Sequence, residues 1–137
     1  MTDCIFCKIA SGEIPCYKVY EDQFTVAFLD IHPHCKGHTV VIPKIHVMNT
    51  FDLSDAQLQQ YFFSVQKTMK RIQKVLDPEG YNVGWNHGTA GEQIVPHLHV
   101  HILPRYYNDG GGSIHSIIKN PGNESVEEVA RKFKEKK

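Results

Sequence analysis

The sequence predicts an α+β domain built on an antiparallel sheet of about five short strands with one long helix. Three observations carry this. Short runs rich in β-branched and aromatic residues fall on both sides of a single segment with helical spacing. The connections between runs are short, and nothing alternates in the strand, helix, strand order of a doubly wound parallel sheet.

Taken in order, 18–20 and 24–29 are two such runs separated by Glu21-Asp22-Gln23, and they read as a hairpin. Gly37-His38-Thr39-Val40-Val41-Ile42-Pro43 follows the turn-like 32–36 and reads as a third strand closed by proline. From Ser54 the spacing becomes helical, with Leu58, Tyr61, Phe62, Val65, Met69, Ile72 and Leu76 three or four apart. Ser54 and Gln57 form a capping box, and Pro78 and Gly80 supply the stop. Two more strands are expected at 81–86 and 97–103, joined through Gly88-Thr89-Ala90-Gly91. Residues 105–137 read as a tail: a loop rich in Gly, Asn and Tyr to about 122, then a short charged helix from Ser125 with Val126, Val129 and Phe133 on one side.

At 137 residues with 41% hydrophobic content, the chain is long enough for one core and too short to suggest two, so 1–137 is read as a single domain. Fifteen basic residues balance fifteen acidic ones. That balance provides no electrostatic footprint for a nucleic-acid backbone, and no nucleic-acid partner is expected. The first residues lack a basic segment followed by a long apolar one, and no run approaches a membrane span. A soluble, cytoplasmic protein is expected. In that setting four cysteines are read as thiols or metal ligands rather than a disulfide framework.

Nine histidines are present, and their clustering carries the chemistry. In His97-Leu98-His99-Val100-His101 the alternation of a strand would put the three imidazoles on one face and Leu98, Val100 and Ile102 on the other, toward the core. Three imidazoles in a row need partners: a metal, an anion or backbone hydrogen bonds. Two chemical readings follow. A neutral imidazole can attack phosphorus while its neighbours stabilise the phosphoryl oxygens. Alternatively, three histidines can hold a catalytic metal with an open position. Spacing alone leaves both open.

The segment His97-Leu98-His99-Val100-His101-Ile102-Leu103 resembles the defining motif of the histidine triad (HIT) superfamily. Cys4-Ile5-Phe6-Cys7-Lys8-Ile9, Ala27-Phe28-Leu29-Asp30-Ile31, residues 36–44 and Asn86-His87-Gly88 resemble segments of its bacterial Hint-like members, in the same order, so the likeness covers about residues 4–107. It implies a HIT-like fold and a nucleotide hydrolase or transferase acting at an α-phosphate through a nucleotidyl-histidine intermediate. The substrates implied are purine nucleoside phosphoramidates or diadenosine polyphosphates. His99 would be the nucleophile, flanked by two imidazoles able to fix its tautomer and donate to developing charge. His101 would bind phosphate oxygen and His38 would orient the triad. The resemblance further implies that Ile5, Phe6, Phe28 and Ile31 line the base slot, that Asp30 takes the ribose, and that Asn86 and Gln93 approach the phosphate. The chain departs from many members at Ile94, where they carry a hydroxyl.

Alone, the Cys4-x-x-Cys7 pair is compatible with a redox motif, two zinc ligands or chance. Zinc-bearing relatives join such a pair to two histidines, which map to His46 and His97. A closed Cys2His2 set of this kind is structural, so zinc is the expected cofactor and no catalytic metal is expected. Cys16 and Cys35 are read as ordinary thiols, and His32, His34, His87 and His115 as loop residues.

The rival reading is a nucleotide-binding regulatory or scaffolding protein with little catalysis. A homodimer is expected as well, because Tyr61, Phe62 and Phe63 are consecutive and cannot all face one core. The resemblance implies two subunits joined into a ten-stranded sheet.

Overall fold

The computed structural model describes residues 3–136. Five strands, β1 (Lys18–Glu21), β2 (Thr25–Leu29), β3 (Thr39–Pro43), β4 (Gly80–Gly84) and β5 (Val100–Arg105), form one sheet in the order β1-β2-β3-β5-β4. Every neighbouring pair is antiparallel. Three helices accompany them: α1 (Ile5–Ala10), α2 (Asp55–Leu76) and α3 (Val126–Glu135). The expected fold is therefore found. Among the described residues no helix is long and apolar enough to cross a membrane.

The alternation of strand side chains splits the core in two. Ala27, Val41, Val100 and Ile102 point to one face, where Tyr61, Val65 and Ile72 of α2 cover them. Val26, Phe28, Val40 and Ile42 point to the other, under Phe6, Ile9 and Ala10 of α1. Sheltered on both sides, β2 and β3 read as nearly continuous apolar runs. The 22-residue α2 begins at Ser54, whose hydroxyl accepts from the Gln57 N–H while the Gln57 side chain accepts from the Ser54 N–H. It ends at Asp77 in the left-handed conformation. Tyr61 is fully buried and donates its hydroxyl to the Val41 carbonyl at 2.7 Å, which satisfies the one polar atom it brings into the core.

Three local expectations are corrected. The fourth strand runs over residues 80–84 rather than 81–86. The fifth begins at Val100, not His97. Its ladder with β3 pairs Val41 with Val100 and stops before Pro43, which has no N–H to offer and whose carbonyl meets the His97 ring. The backbone of 97–99 is instead held by Leu98, whose N–H donates to Val47. Finally, α1 was not expected; six residues are too few to show a helical period, and its start is set by Cys4, whose sulfur accepts from the Cys7 N–H.

The tail holds the expected short helix, begun by a Ser125–Glu128 capping box. Residues 107–136 are exposed throughout, Val126, Val129 and Phe133 included.

Candidate active site and metal centre

The three histidines of the motif sit where the chain enters β5, and each ring is fixed by a different partner. His97 and His99 are buried, and His101 is partly so. A carbonyl oxygen can only accept, so each ring nitrogen that meets one must carry the proton.

His97 Nε2 lies 2.9 Å from the Pro43 carbonyl, so Nε2 holds the hydrogen and Nδ1 keeps its lone pair. That Nδ1 faces Cys4 Sγ at 3.4 Å and Cys7 Sγ at 3.6 Å, while Cys7 Sγ lies 3.2 Å from His46 Nδ1. The donor atoms of Cys4, Cys7, His46 and His97 all fall within 4.8 Å of one another. A tetrahedral zinc with Zn–S of about 2.3 Å and Zn–N of about 2.0 Å places its sulfur and nitrogen ligands roughly 3.5 Å apart. The donor spacings match, and the four residues could hold a metal ion. Burial beside Cys4 raises the Cys7 thiol above its ordinary range, a tendency that a bound cation would reverse.

His99 Nδ1 lies 2.7 Å from the carbonyl of His97 and therefore donates to it. Among the described residues its Nε2 lone pair meets no hydrogen-bond donor. The expectation that neighbouring imidazoles fix this tautomer is corrected: the backbone of residue 97 does so, because the His97 ring is turned to the cysteines. Burial lowers the pKa of His99, which favours the neutral, nucleophilic form.

His101 is set by a relay. The backbone N–H of His34 donates to His38 Nδ1 at 3.2 Å, which leaves the His38 proton on Nε2. That Nε2–H donates to His101 Nδ1 at 2.9 Å, so His101 carries its own hydrogen on Nε2 and can donate it to an anion. Asp30 flanks the relay, with Oδ2 3.7 Å from His38 Nε2 and Oδ1 accepting from the His32 N–H. The rings of His99 and His101 meet edge to face with centroids 5.0 Å apart. Burial lowers His38, and burial followed by the neighbouring imidazoles pushes His101 down to about 4.

The three rings thus diverge. His97 belongs to the sulfur cluster and His101 groups with Asp30 and His38, whereas His99 joins neither candidate metal group among the described residues. This arrangement does not support one catalytic metal shared by all three.

Of the residues expected to hold a nucleotide, Phe6 packs edge to face on His99 at 5.0 Å and on Phe28 at 5.8 Å. Phe28 is buried in the core beneath it, and Ile5 and Ile31 are exposed. Asn86 is exposed and lines a cavity that reaches His101. Gln93 is engaged within its own loop. Its amide oxygen accepts from the Gly88 N–H and its amide nitrogen donates to the carbonyls of Met48 and Val95, so the side chain shapes the 88–95 loop from within. Ile94 is 90% exposed, leaving its backbone as the only polar group it brings. The sequence reading missed His34, whose backbone anchors the relay, and no local pattern signals it.

Comparison with known proteins identifies the family. The sequence profile of the HIT domain matches residues 11–108. The chain is similar to Protein hit of Bacillus subtilis (strain 168), with 47% identity over 113 residues, 82% of this chain and 78% of that protein. It is similar to the adenosine 5'-monophosphoramidase hnt1 of Schizosaccharomyces pombe, with 44% identity over 102 residues, 74% of each. A crystal structure of a HIT family protein from Bacillus anthracis shares the fold with a TM-score of 0.81 and 41% identity, over 97% of this chain and 93% of that one. Motif, fold and relatives converge, and the chain belongs to the HIT domain family.

Proposed function

We propose that this protein is a nucleotide hydrolase or transferase of the Hint-like type that works at the α-phosphate of a purine nucleotide through a covalent intermediate on His99. The observation that carries the reading is the His99 tautomer. Nδ1 donates to a backbone carbonyl, so a neutral Nε2 lone pair stands free beside a His101 whose Nε2–H is available to a phosphoryl oxygen. A nucleophile with its base character fixed and a donor at the developing charge are what phosphoryl transfer requires when no metal does that work. A relative named as an adenosine 5'-monophosphoramidase supports the substrate class.

The reaction has two displacements. His99 Nε2 bonds to phosphorus as the bond from phosphorus to the leaving group breaks, and the departing atom takes a proton from water. Water then adds to phosphorus, gives a proton to solvent and releases the nucleoside monophosphate, restoring neutral His99. Phe6, with the exposed Ile5 and Ile31, would receive the base, and Asp30 the ribose. Zinc on Cys4, Cys7, His46 and His97 would tie α1 and the 43–48 loop to the start of β5, a structural role. The protein would act as a homodimer in the cytoplasm.

The test is to quench the protein in acid-free denaturant during turnover of an adenosine phosphoramidate and map the adduct by mass spectrometry. An adenylyl group on His99 is expected. Turnover with no adduct on His99, or with the adduct on His97 or His101, overturns the assignment. A nucleotide-binding scaffold would show binding without turnover.

A further inference from the structure

Two neutral imidazoles joined by one hydrogen bond have two proton arrangements, and His101 does opposite things in them. In the first, His38 carries its hydrogen on Nε2 and gives it to His101 Nδ1, so His101 holds its own hydrogen on Nε2 and donates outward. In the second, each ring has moved its hydrogen to Nδ1. His101 then donates to His38 Nε2, and its outward Nε2 is a lone pair. Both arrangements keep the 2.9 Å contact, and passing between them gains or loses no proton overall. A lone pair aimed at a phosphoryl oxygen repels it, so only the first arrangement serves the displacement at phosphorus.

Nothing within the pair decides between the two; the deciding group lies outside it. The backbone N–H of His34 can only donate, and it stands 3.2 Å from His38 Nδ1. In the second arrangement two hydrogens would face each other there. Asp30 acts in the same sense, because its Oδ2 lies 3.7 Å from His38 Nε2, where a carboxylate attracts a hydrogen and repels a lone pair. His38 is only 3% exposed, so water has little access to replace a lost donor.

The donor is held in place by the turn that carries it. Asp30 N–H donates to the His38 carbonyl at 2.9 Å and His38 N–H to the Cys35 carbonyl at 3.2 Å, which closes residues 30–38 on themselves. Asp30 Oδ1 accepts from the His32 N–H at 2.8 Å. Gly37 turns with a φ of 81°, in the left-handed region, and sits so close to α2 and β5 that a Cβ would overlap Leu76 and press on Pro104. The turn is thus seated on two elements of the core, and it delivers the N–H of residue 34 to His38 without using the His34 side chain.

We infer that the backbone N–H of His34 is a positioning group for catalysis, which through His38 selects the tautomer in which His101 donates to the phosphoryl oxygen. This rests on the reading of His99 as nucleophile and His101 as donor. The N–H touches no reacting atom, and every amino acid except proline can supply it.

The test removes that N–H alone. The full-length chain is joined at the native Cys35 from a synthetic 1–34 segment and a recombinant 35–137 segment, in two forms. One has the natural amide at residue 34; the other has the α-hydroxy analogue of histidine, an ester that keeps the side chain and lacks the N–H. NMR of the ring nitrogens reads the tautomers, and turnover of adenosine phosphoramidate reads their consequence. In the amide form Nδ1 of both His38 and His101 should be unprotonated and both Nε2 protonated. In the ester form the opposite set should appear, and kcat should fall on the order of tenfold, the worth of one hydrogen bond, with KM nearly unchanged. His34→Asn, which keeps the N–H and loses the imidazole, should keep the ring signals of the amide form. If the ester form does not refold, His34→Pro, which lacks the same N–H, takes its place. Failure of the amide form to yield adenylyl-His99 removes the reading beneath the proposal. If adenylyl-His99 forms but the ester keeps the ring signals of the amide form at any rate of turnover, shifts them with kcat unchanged, or is matched in its shift by His34→Asn, the positioning role is overturned while the nucleophile stands.

Discussion

His38 and His101 share a 2.9 Å hydrogen bond whose direction is fixed, because the other nitrogen of His38 already accepts from the His34 backbone. The pair is therefore built to be neutral. Burial pushes His101 down to about 4 and lowers His38, and their surroundings include the His34 and His99 imidazoles as well as the Asp30 carboxylate. An unfolded histidine titrates near 6.5. As pH falls below that value the unfolded chain takes up protons that the folded chain refuses, so stability falls with pH and the loss is complete only below about 4. Urea melts at pH 7.5, 6 and 5 should show this decline, and His101→Gln should flatten part of the slope. A stability independent of pH between 7.5 and 5 would contradict the neutral relay.

Replacing His99 by Ala or Gly should lower turnover on the order of 10⁴-fold, as loss of a covalent nucleophile does, and leave nucleotide affinity nearly intact. Single-turnover kinetics and calorimetric titration with a nucleoside monophosphate check the two halves. Near-normal rates in a folded variant would remove His99 from the nucleophile role.

Protein prepared without chelator should carry about one zinc per chain by elemental analysis. Cys4→Ser or Cys7→Ser should lower Tm by more than it lowers kcat, and zinc should be released as pH falls, since ligation requires the thiolates. Absence of metal, or metal retained after both cysteines are replaced, refutes the centre.

Tyr61 is buried, Phe62 packs on Trp85 at 5.6 Å, and Phe63 stands 50% exposed, so the run of aromatics does leave one ring uncovered. The apolar stripe of α3 is uncovered too, and both surfaces suit an isologous interface. Light scattering at micromolar concentration should give about twice the 15.6 kDa chain mass. Phe63→Glu should shift the population toward monomer. A wild-type monomer at that concentration would show that these surfaces need no partner.

Removing the side-chain hydroxyl in Tyr61→Phe should cost about 1 kcal/mol, the net worth of a buried hydrogen bond, with little effect on turnover. Chemical denaturation measures the first and steady-state kinetics the second.

The residues that could be read from the sequence are those whose signal is local. Ser54 and Gln57 lie three apart and cap α2 as their spacing predicts, and Leu58 through Leu76 repeat often enough to reveal the period. The histidine spacing is equally visible, but alternation puts all three rings on one strand face only if the strand reaches residue 97, and β5 begins at Val100. The ladder with β3 stops at Val41–Val100, and the Pro43 carbonyl, more than fifty residues earlier in the chain, meets the His97 ring instead. Cys4, Cys7, His46 and His97 could be grouped only through resemblance, since nothing local joins residue 7 to residue 97. Arg105 and Asp109 lie four apart and pair locally, whereas Asn82 and Gly112 reach the guanidinium only in the folded chain.

Residue 97 serves two sites with two separable parts, its ring facing the cysteines and its carbonyl holding His99. Every amino acid brings a carbonyl, while only a few bring a metal ligand. A chain without the imidazole at 97 and without both thiols would still present the carbonyl that fixes the His99 tautomer. Under the proposed function the first histidine of the motif would belong to the scaffold, and a lineage that lost it would keep the proposed nucleophile in place.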